Sequence, residues 1–184
     1  MAKKIGLFVG SLRKESYNLK LAKNLMKLFP ADYDTEIIPI GQLEMYNQDF
    51  DDENRAPESW KAFREKLGTI DGAIFITPEY NRSVPAVLKN AIDVGSRPYG
   101  QNKWNGVPAA VVSSSIGAIS GFGANHHLRQ SLTFVNMPTL AQPEVYIASV
   151  QDLLNPDGTL KNEGTTQFLQ NFVDKFIEHV GLYK

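Results

Sequence analysis

Three short stretches combine small, polar and glycine residues in a way that packing alone does not require: GSLRKESYN at Gly10–Asn18, TPEYNRSVP at Thr77–Pro85 and SSSIGAISG at Ser113–Gly121. In the first, Gly10 permits a tight turn, Ser11, Ser16 and Asn18 carry short hydrogen-bonding side chains, and Arg13 carries a guanidinium fork. If a helix starts just beyond, its unpaired amides and the positive end of its dipole complete a cradle for a phosphate. In the second, Pro78 stops a strand and Pro85 stands near the next helix. The residues between them must arch across a sheet edge, with amides freed from strand pairing to meet a flat, acceptor-rich ring. The small residues of the third stretch let main chain approach a planar ligand closely. Each stretch also has a plainer reading. Ser16 merely caps a helix, Ser83 caps the next one, and the glycine-serine segment is a solvent loop.

The elements that must position these loops follow from periodicity. Apolar runs at Lys4–Gly10, Thr35–Ile40, Gly72–Thr77, Val107–Ser115 and Glu144–Ala148 read as strands. The third and fourth have so few polar interruptions that they belong at the centre of the sheet. Helical spacing recurs within Ser16–Phe29, at Trp60, Phe63 and Leu67, and at Val87, Leu88, Ala91 and Ile92. It returns within Phe122–Val135 and at Phe168, Phe172, Phe176 and Val180. Asn47–Arg55 and Ser96–Asn105 read as loops. Five strands alternating with five helices predict an α/β, flavodoxin-like three-layer sandwich. Its parallel sheet has the order 2-1-3-4-5, with helices on both faces. Right-handed crossovers then bring the loops after strands 1, 3 and 4 together at the carboxyl edge, and this coincidence favours a ligand over three separate plain loops.

Composition narrows the chemistry. The 184 residues, 42% hydrophobic and 21% charged, fit one domain spanning residues 1–184. A net charge of -1, from 19 basic and 20 acidic residues, offers no broad attraction for nucleic acid or an anionic membrane. Absence of cysteine excludes disulfides, thiol nucleophiles and thiolate metal sites. The N-terminal apolar run is too brief to span a bilayer and lacks a small-residue cleavage site, so the expected location is cytoplasmic. The first loop is neither G-x-x-x-x-G-K-[ST] nor G-x-G-x-x-G, which sets aside nucleoside triphosphates and dinucleotides. No spacing of His, Asp and Glu converges on a metal site. His126, His127 and His179 are expected to serve structure or face solvent, and no side chain is assigned as a catalytic acid or base.

The motifs GSLRKESYN, TPEYNRSVPAVLKNAID at Thr77–Asp93, SRPYGQ at Ser96–Gln101 and GFGANHHLRQ at Gly121–Gln130 together resemble the NAD(P)H-dependent FMN reductases of the bacterial soluble quinone and chromate reductase type. The resemblance implies a noncovalent FMN, with NAD(P)H as co-substrate. Ser11, Arg13, Ser16 and Asn18 would hold the phosphate, with Tyr17 in the same cofactor-binding set. Pro78, Glu79, Tyr80 and Asn81 would frame the isoalloxazine, and Ser115 and Gly117 would complete the pocket. It further implies homodimers, often paired as tetramers. Tyr99 and Trp104, aromatics in a polar loop, fit an interface, and Arg129 and Glu144 are candidates for a charge pair across one. Ile116 and Ile119 stand where the family often has Pro or Gly, and would narrow the second-substrate site.

Three functions compete on this fold. The first is an oxidoreductase passing hydride from NAD(P)H through FMN, with ping-pong kinetics, to quinones, azo compounds, chromate or free flavin. The second is a flavodoxin-type electron carrier; such carriers are usually strongly acidic, and a charge near zero argues against one. The third is a flavin-free phosphate-binding or hydrolytic domain.

Overall fold

The segment GAIFIT, Gly72–Thr77, is buried at every residue, because it is a central strand covered on both faces. In the computed structural model, which describes residues 2–183, this strand (β3) lies between β1 (Lys3–Val9) and β4 (Ala109–Ser114). With β2 (Tyr33–Ile37) and β5 (Val145–Ile147) they form one sheet ordered β2-β1-β3-β4-β5. Every neighbouring pair is parallel, in register Phe8↔Phe75 and Phe75↔Val111. This is the predicted flavodoxin-like order.

Strand side chains alternate between faces, so each strand feeds two cores. Phe8, Phe75 and Val111 pack with Trp60 and Phe63 of α3 (Glu58–Leu67), Leu88 of α4 (Ala86–Gly95) and Leu128 of α5 (Phe122–Phe134). Leu7, Ile74, Ile76 and Val112 pack on the other face with Leu21 and Leu25 of α1 (Tyr17–Met26) and Phe172 and Phe176 of α6 (Glu163–Gly181). On α6 the inward stripe runs through Leu169 and Val173 as well, while Phe168 is exposed. Among the described residues no helix is long and apolar enough to cross a membrane.

Several expectations are corrected. The second strand ends at Ile37 rather than Ile40, because Pro39 has no N–H to continue the ladder; Ile38 donates a last bond to the Leu7 carbonyl (3.0 Å). Ile38 and Ile40 still reach the core, which explains why the apolar pattern outruns the strand. The presumed loop Asn47–Arg55 contains a short helix, α2 (Gln48–Asp52), whose first turn is capped by the Asn47 side chain. Its Asp51 takes both Nη atoms of Arg64 at 2.7 Å, while the Arg64 Nε donates to the Val94 carbonyl at 2.9 Å. A buried bidentate pair of this kind docks the segment against α3 and α4. A 3-10 turn, Val150–Leu153, follows β5.

Trp104 is no interface residue. It is fully buried among Phe8, Phe63 and Phe75, and its indole N–H donates to the Ile92 carbonyl at 3.0 Å. Polar neighbours hid it, because the loop folds its indole inward under α4; Gly95 makes the space, since a Cβ there would lie 2.5 Å from the Trp104 Nε1. Tyr99, by contrast, is 94% exposed. Trp104→Ala is therefore expected to cost about 3–5 kcal/mol in urea unfolding. A change confined to the association state, with unchanged unfolding, would restore the interface reading.

Candidate functional site

The first two polar loops meet at the carboxyl edge because Gly10 lacks a side chain, and the parallel register of β3 and β4 sets the third beside them. A Cβ there would lie 2.6 Å from the Leu88 Cδ1 and 2.9 Å from both the Pro78 Cδ and the Pro85 Cγ, so the first loop packs directly on the prolines of the second. The Gly10 amide is still held by the Ile76 carbonyl (2.8 Å). Beyond it the chain leaves the sheet with little internal bonding. The backbone amides of Ser11, Arg13, Lys14, Tyr17 and Asn18 find no acceptor among the described residues. Ser16 caps α1, its Oγ accepting from the Leu19 amide at 3.1 Å. The plain reading of Ser16 is thus correct as far as it goes, and the hydroxyl proton is left over to donate. Arg13 is exposed and has no ion-pair or hydrogen-bond partner among the described residues.

The second loop is a two-residue hairpin rather than an open arch. Tyr80 and Ser83 exchange both backbone hydrogen bonds, at 3.1 and 3.0 Å, around Asn81 and Arg82 with φ of 50° and 64°. Successive left-handed residues make this a type I′ turn. The Tyr80 amide is consequently spent, and the unpaired amides of the turn are those of Asn81 and Arg82. Ser83 caps nothing: α4 starts after Pro85, and the Ser83 Oγ sits 2.9 Å from the His127 Nδ1. Glu79 turns its carboxylate towards α5, where Oε2 accepts from the Ala124 amide (3.1 Å) and Oε1 from the Arg82 Nη1 (3.2 Å).

In the third loop the Ser115 Oγ accepts from the Gly117 amide at 2.8 Å, closing a small side-chain turn. Ser120 and Gly121, with φ of 61° and 76°, then swing the chain into α5. Ser113 points to the α5 side, where Asn125 donates to it at 3.2 Å, and Ser114 points to the α1 side. Arg129 uses its Nε on the Asn125 Oδ1 and its Nη1 on the Leu140 carbonyl, both at 2.9 Å, so those donors are engaged within its own chain. Glu144 lies by Tyr146; burial first, then the hydrogen bond and charge of Glu144, push that phenol above its ordinary range and keep it protonated.

Between the loops lies a cleft of about 250 Å³. Of the sequence-derived residues, Ser11, Arg13, Tyr17, Asn18, Pro78, Glu79, Tyr80 and Ser115 line it, whereas Ser16, Asn81 and Gly117 stand behind or beside them. Ser114, Ile116 and Val150 complete the lining and were not singled out from sequence as cofactor residues. Strand parity was the available signal for Ser114, which continues the Ala110 and Val112 face of β4; nothing local marks Val150, whose backbone N–H donates to the Ser115 carbonyl (3.2 Å). Two buried atoms in this lining have no partner: the Asn18 Oδ1, on a residue 5% exposed, and the Ser114 Oγ, on one 1% exposed. Unpaired buried polar atoms are costly in a folded protein, so a pair of them aimed at one cleft indicates a polar ligand. A larger hollow of about 450 Å³ runs along α1 by Lys20, Lys23 and Lys27. Its buried Asn24 is satisfied by the Lys20 and Gly158 carbonyls, each at 2.8 Å, and nothing there asks for a ligand.

Residues 3–152 match the family described as NADPH-dependent FMN reductase. The chain belongs to this family. It is 54% identical over 178 residues to a quinone reductase of Pseudomonas putida, covering 97% of this chain and 95% of that protein. To a 2-hydroxy-1,4-benzoquinone reductase of a Burkholderia species it is 42% identical, over 96% of this chain and 95% of the other. Among solved structures, FerB, a flavoenzyme NAD(P)H:acceptor oxidoreductase from Paracoccus denitrificans, superposes with a TM-score of 0.92 at 41% identity, over 98% of each chain. As a member of this FMN reductase family the protein takes FMN as cofactor and NAD(P)H as co-substrate. The cleft fits that cofactor: free amides and an unpaired guanidinium suit its phosphate, and the orphaned Asn18 oxygen and Ser114 hydroxyl suit the hydroxyl and N–H donors that FMN carries besides it. Ser114→Ala, which removes an unpaired buried hydroxyl, is expected to raise the stability of the FMN-free reductase by about 1 kcal/mol in urea unfolding. Lower stability in the variant would mean that the hydroxyl is already satisfied.

Proposed function

We propose that this protein is a cytoplasmic, single-domain quinone reductase whose FMN lies in the cleft between the three loops. In this reading Ser11, Arg13, Ser16, Tyr17 and Asn18 hold the phosphate. Pro78, Glu79, Tyr80 and Asn81 frame the ring system on one side, and Ser115 and Gly117, with Ser114, on the other. The observation that carries it is the set of unpaired donors in the first loop. Free amides and the unpartnered Arg13 converge at the start of α1, where the helix dipole adds positive potential, and an anion there replaces water without displacing any existing bond. Bound FMN supplies the redox chemistry, taking hydride from NAD(P)H and passing it to the acceptor.

The chain's own part is position and polarity. The unpaired Asn81 and Arg82 amides favour negative charge at the cleft's edge, while the N-terminus of α5 is already met by the Glu79 carboxylate. A cleft of about 250 Å³ lies below the usual range of about 300–1,000 Å³ for ligand sites, so a flavin seated there keeps one face in solvent. One open face serves NAD(P)H and acceptor in turn, which is the basis for ping-pong kinetics. Ile116 and Tyr80, exposed at the rim, give that face apolar flanks suited to a flat quinone, the acceptor class that the names of the Pseudomonas and Burkholderia relatives specify. Azo compounds, chromate and free flavin are further acceptors to be tried. Assembly as a homodimer or tetramer is part of the proposal, supported by the exposed Tyr99.

Arg13 gives the cleanest test, since its exposed side chain makes no hydrogen bond or ion pair among the described residues. Arg13→Ala is expected to weaken FMN binding roughly tenfold or more with unchanged unfolding, as the loss of a charge-assisted phosphate contact predicts. Fluorescence titration of the FMN-free protein measures it. Wild-type protein loaded with FMN should bleach with NAD(P)H under anaerobic conditions and regain colour with a benzoquinone. Equal FMN affinity in the variant removes the phosphate assignment, and bleaching only with a separate reductase makes the protein an electron carrier instead.

A further inference from the structure

Three successive polar residues near the start of α5 point to three different places. Asn125, fully buried, donates to the Ser113 Oγ (3.2 Å) and receives the Arg129 Nε (2.9 Å). His126 meets the Tyr146 hydroxyl at 3.1 Å, and His127 meets the Ser83 hydroxyl at 2.9 Å. The first two fix α5 to the sheet. The third reaches across to the hairpin of the second loop, and nothing in the reaction outlined above uses it.

That hairpin is under local strain. In a type I′ turn the second central position favours glycine, yet Arg82 occupies it with φ of 64°. A residue in this region persists where its surroundings over-determine it. Those surroundings are the first turns of α5. The Glu79 Oε2 accepts from the Ala124 amide at 3.1 Å, the Ser83 Oγ bonds His127, and Gly123 lets the Arg82 carbonyl approach so closely that a Cβ there would lie 2.7 Å from it. The turn is thus gripped at both ends and in the middle by an element that is itself anchored to β4.

We propose that His127 is a positioning residue. Through Ser83 it holds the Tyr80–Ser83 hairpin in its left-handed form against α5, and so sets the edge of the flavin site without touching substrate or cofactor. The inference rests on the FMN reading given above. It places part of the site's polarity under the control of a surface histidine on a different element.

Ser83→Ala, His127→Ala and the double variant test it in the full chain. Each is expected to weaken FMN binding about three- to tenfold in fluorescence titration, as the loss of one hydrogen bond predicts. Because the two side chains act as a pair, the double variant should match the singles rather than multiply them. All three should share one altered visible circular dichroism spectrum of the bound flavin, and the KM for NAD(P)H should rise while kcat stays within about twofold. Arg82→Gly relaxes the turn by itself, so adding it to His127→Ala should return FMN affinity to within about twofold of Arg82→Gly alone. Wild-type affinity and spectrum in His127→Ala would overturn the proposal, as would a loss that multiplies with Ser83→Ala or that Arg82→Gly does not relieve. Lowered melting temperature with unchanged FMN binding would likewise reduce His127 to a packing residue. Arg13→Ala separates the two levels. If it weakens FMN and His127→Ala does not, only the positioning role fails; if Arg13→Ala has no effect, the FMN reading fails and this inference with it.

Discussion

The site depends on one close approach. At Gly10 the backbone of β1 leaves the sheet in contact with Leu88, Pro78 and Pro85, at distances no side chain would allow. Those contacts bring the loop after β1 and the loop after β3 to a common edge, and the parallel register of β1, β3 and β4 adds the third loop beside them. Prolines on the far side of the contact matter as much as the glycine. Each fixes its own φ and donates nothing, so neither competes for the carbonyls that end β3. A glycine against two prolines therefore closes a corner that has shape but few hydrogen bonds, and the polar capacity of the loops is left for a ligand.

Most of the scaffold was legible because its periodicities are clean. Leu7 and Phe8, or Ile74 and Phe75, face opposite cores in turn, and the uninterrupted apolar character of β3 and β4 could only mean burial on both sides. Reading failed where local pattern and long-range contact disagree. Ile38 and Ile40 look like strand because they are buried, yet Pro39 between them has already ended the ladder. The polar string around α2 looks like loop because its reason to fold lies in Arg64, thirteen residues beyond Asp51, and in the Val94 carbonyl of another helix. Trp104 sits among polar residues in sequence and among aromatic rings in space.

The site was legible to the level of loops and less so to the level of atoms. Ser11, Arg13 and Asn18 were readable because small polar residues before an amphipathic helix have a known use, and they do face one cleft. What sequence did not reveal was division of labour within a motif. In PEYN, Glu79, expected to frame the isoalloxazine, turns its carboxylate to α5, and the arch expected to free the amides between the prolines closes on that of Tyr80 instead. Turn type is decided by φ at Asn81 and Arg82, and an Asn-Arg pair carries little of the Asn-Gly signal that marks a type I′ hairpin. In the serine run, Ser113 and Ser114 differ only in parity, yet one is consumed by Asn125 and the other is buried without a partner beside the cleft.

That contrast between neighbours shows how the fold separates stability from binding. Asn24, Asn90 and Asn125 are buried asparagines whose amides are used on carbonyls or hydroxyls of distant segments, and each holds two parts of the chain together. Asn18 is equally buried, sits on the same helix as Asn24, and has an oxygen with no partner. Position along α1 makes the difference. Asn24 lies in the last turns against the Gly158 carbonyl, whereas Asn18 lies in the first turn, where the chain before it has left the sheet and none of its free donors bonds the Asn18 oxygen. An unsatisfied buried amide oxygen weakens the empty protein, and such a cost persists in a sequence when something else supplies the missing bond. The same reasoning applies to Ser114 at the end of β4, so both orphans belong to residues that line one cleft, and a single ligand there can satisfy both.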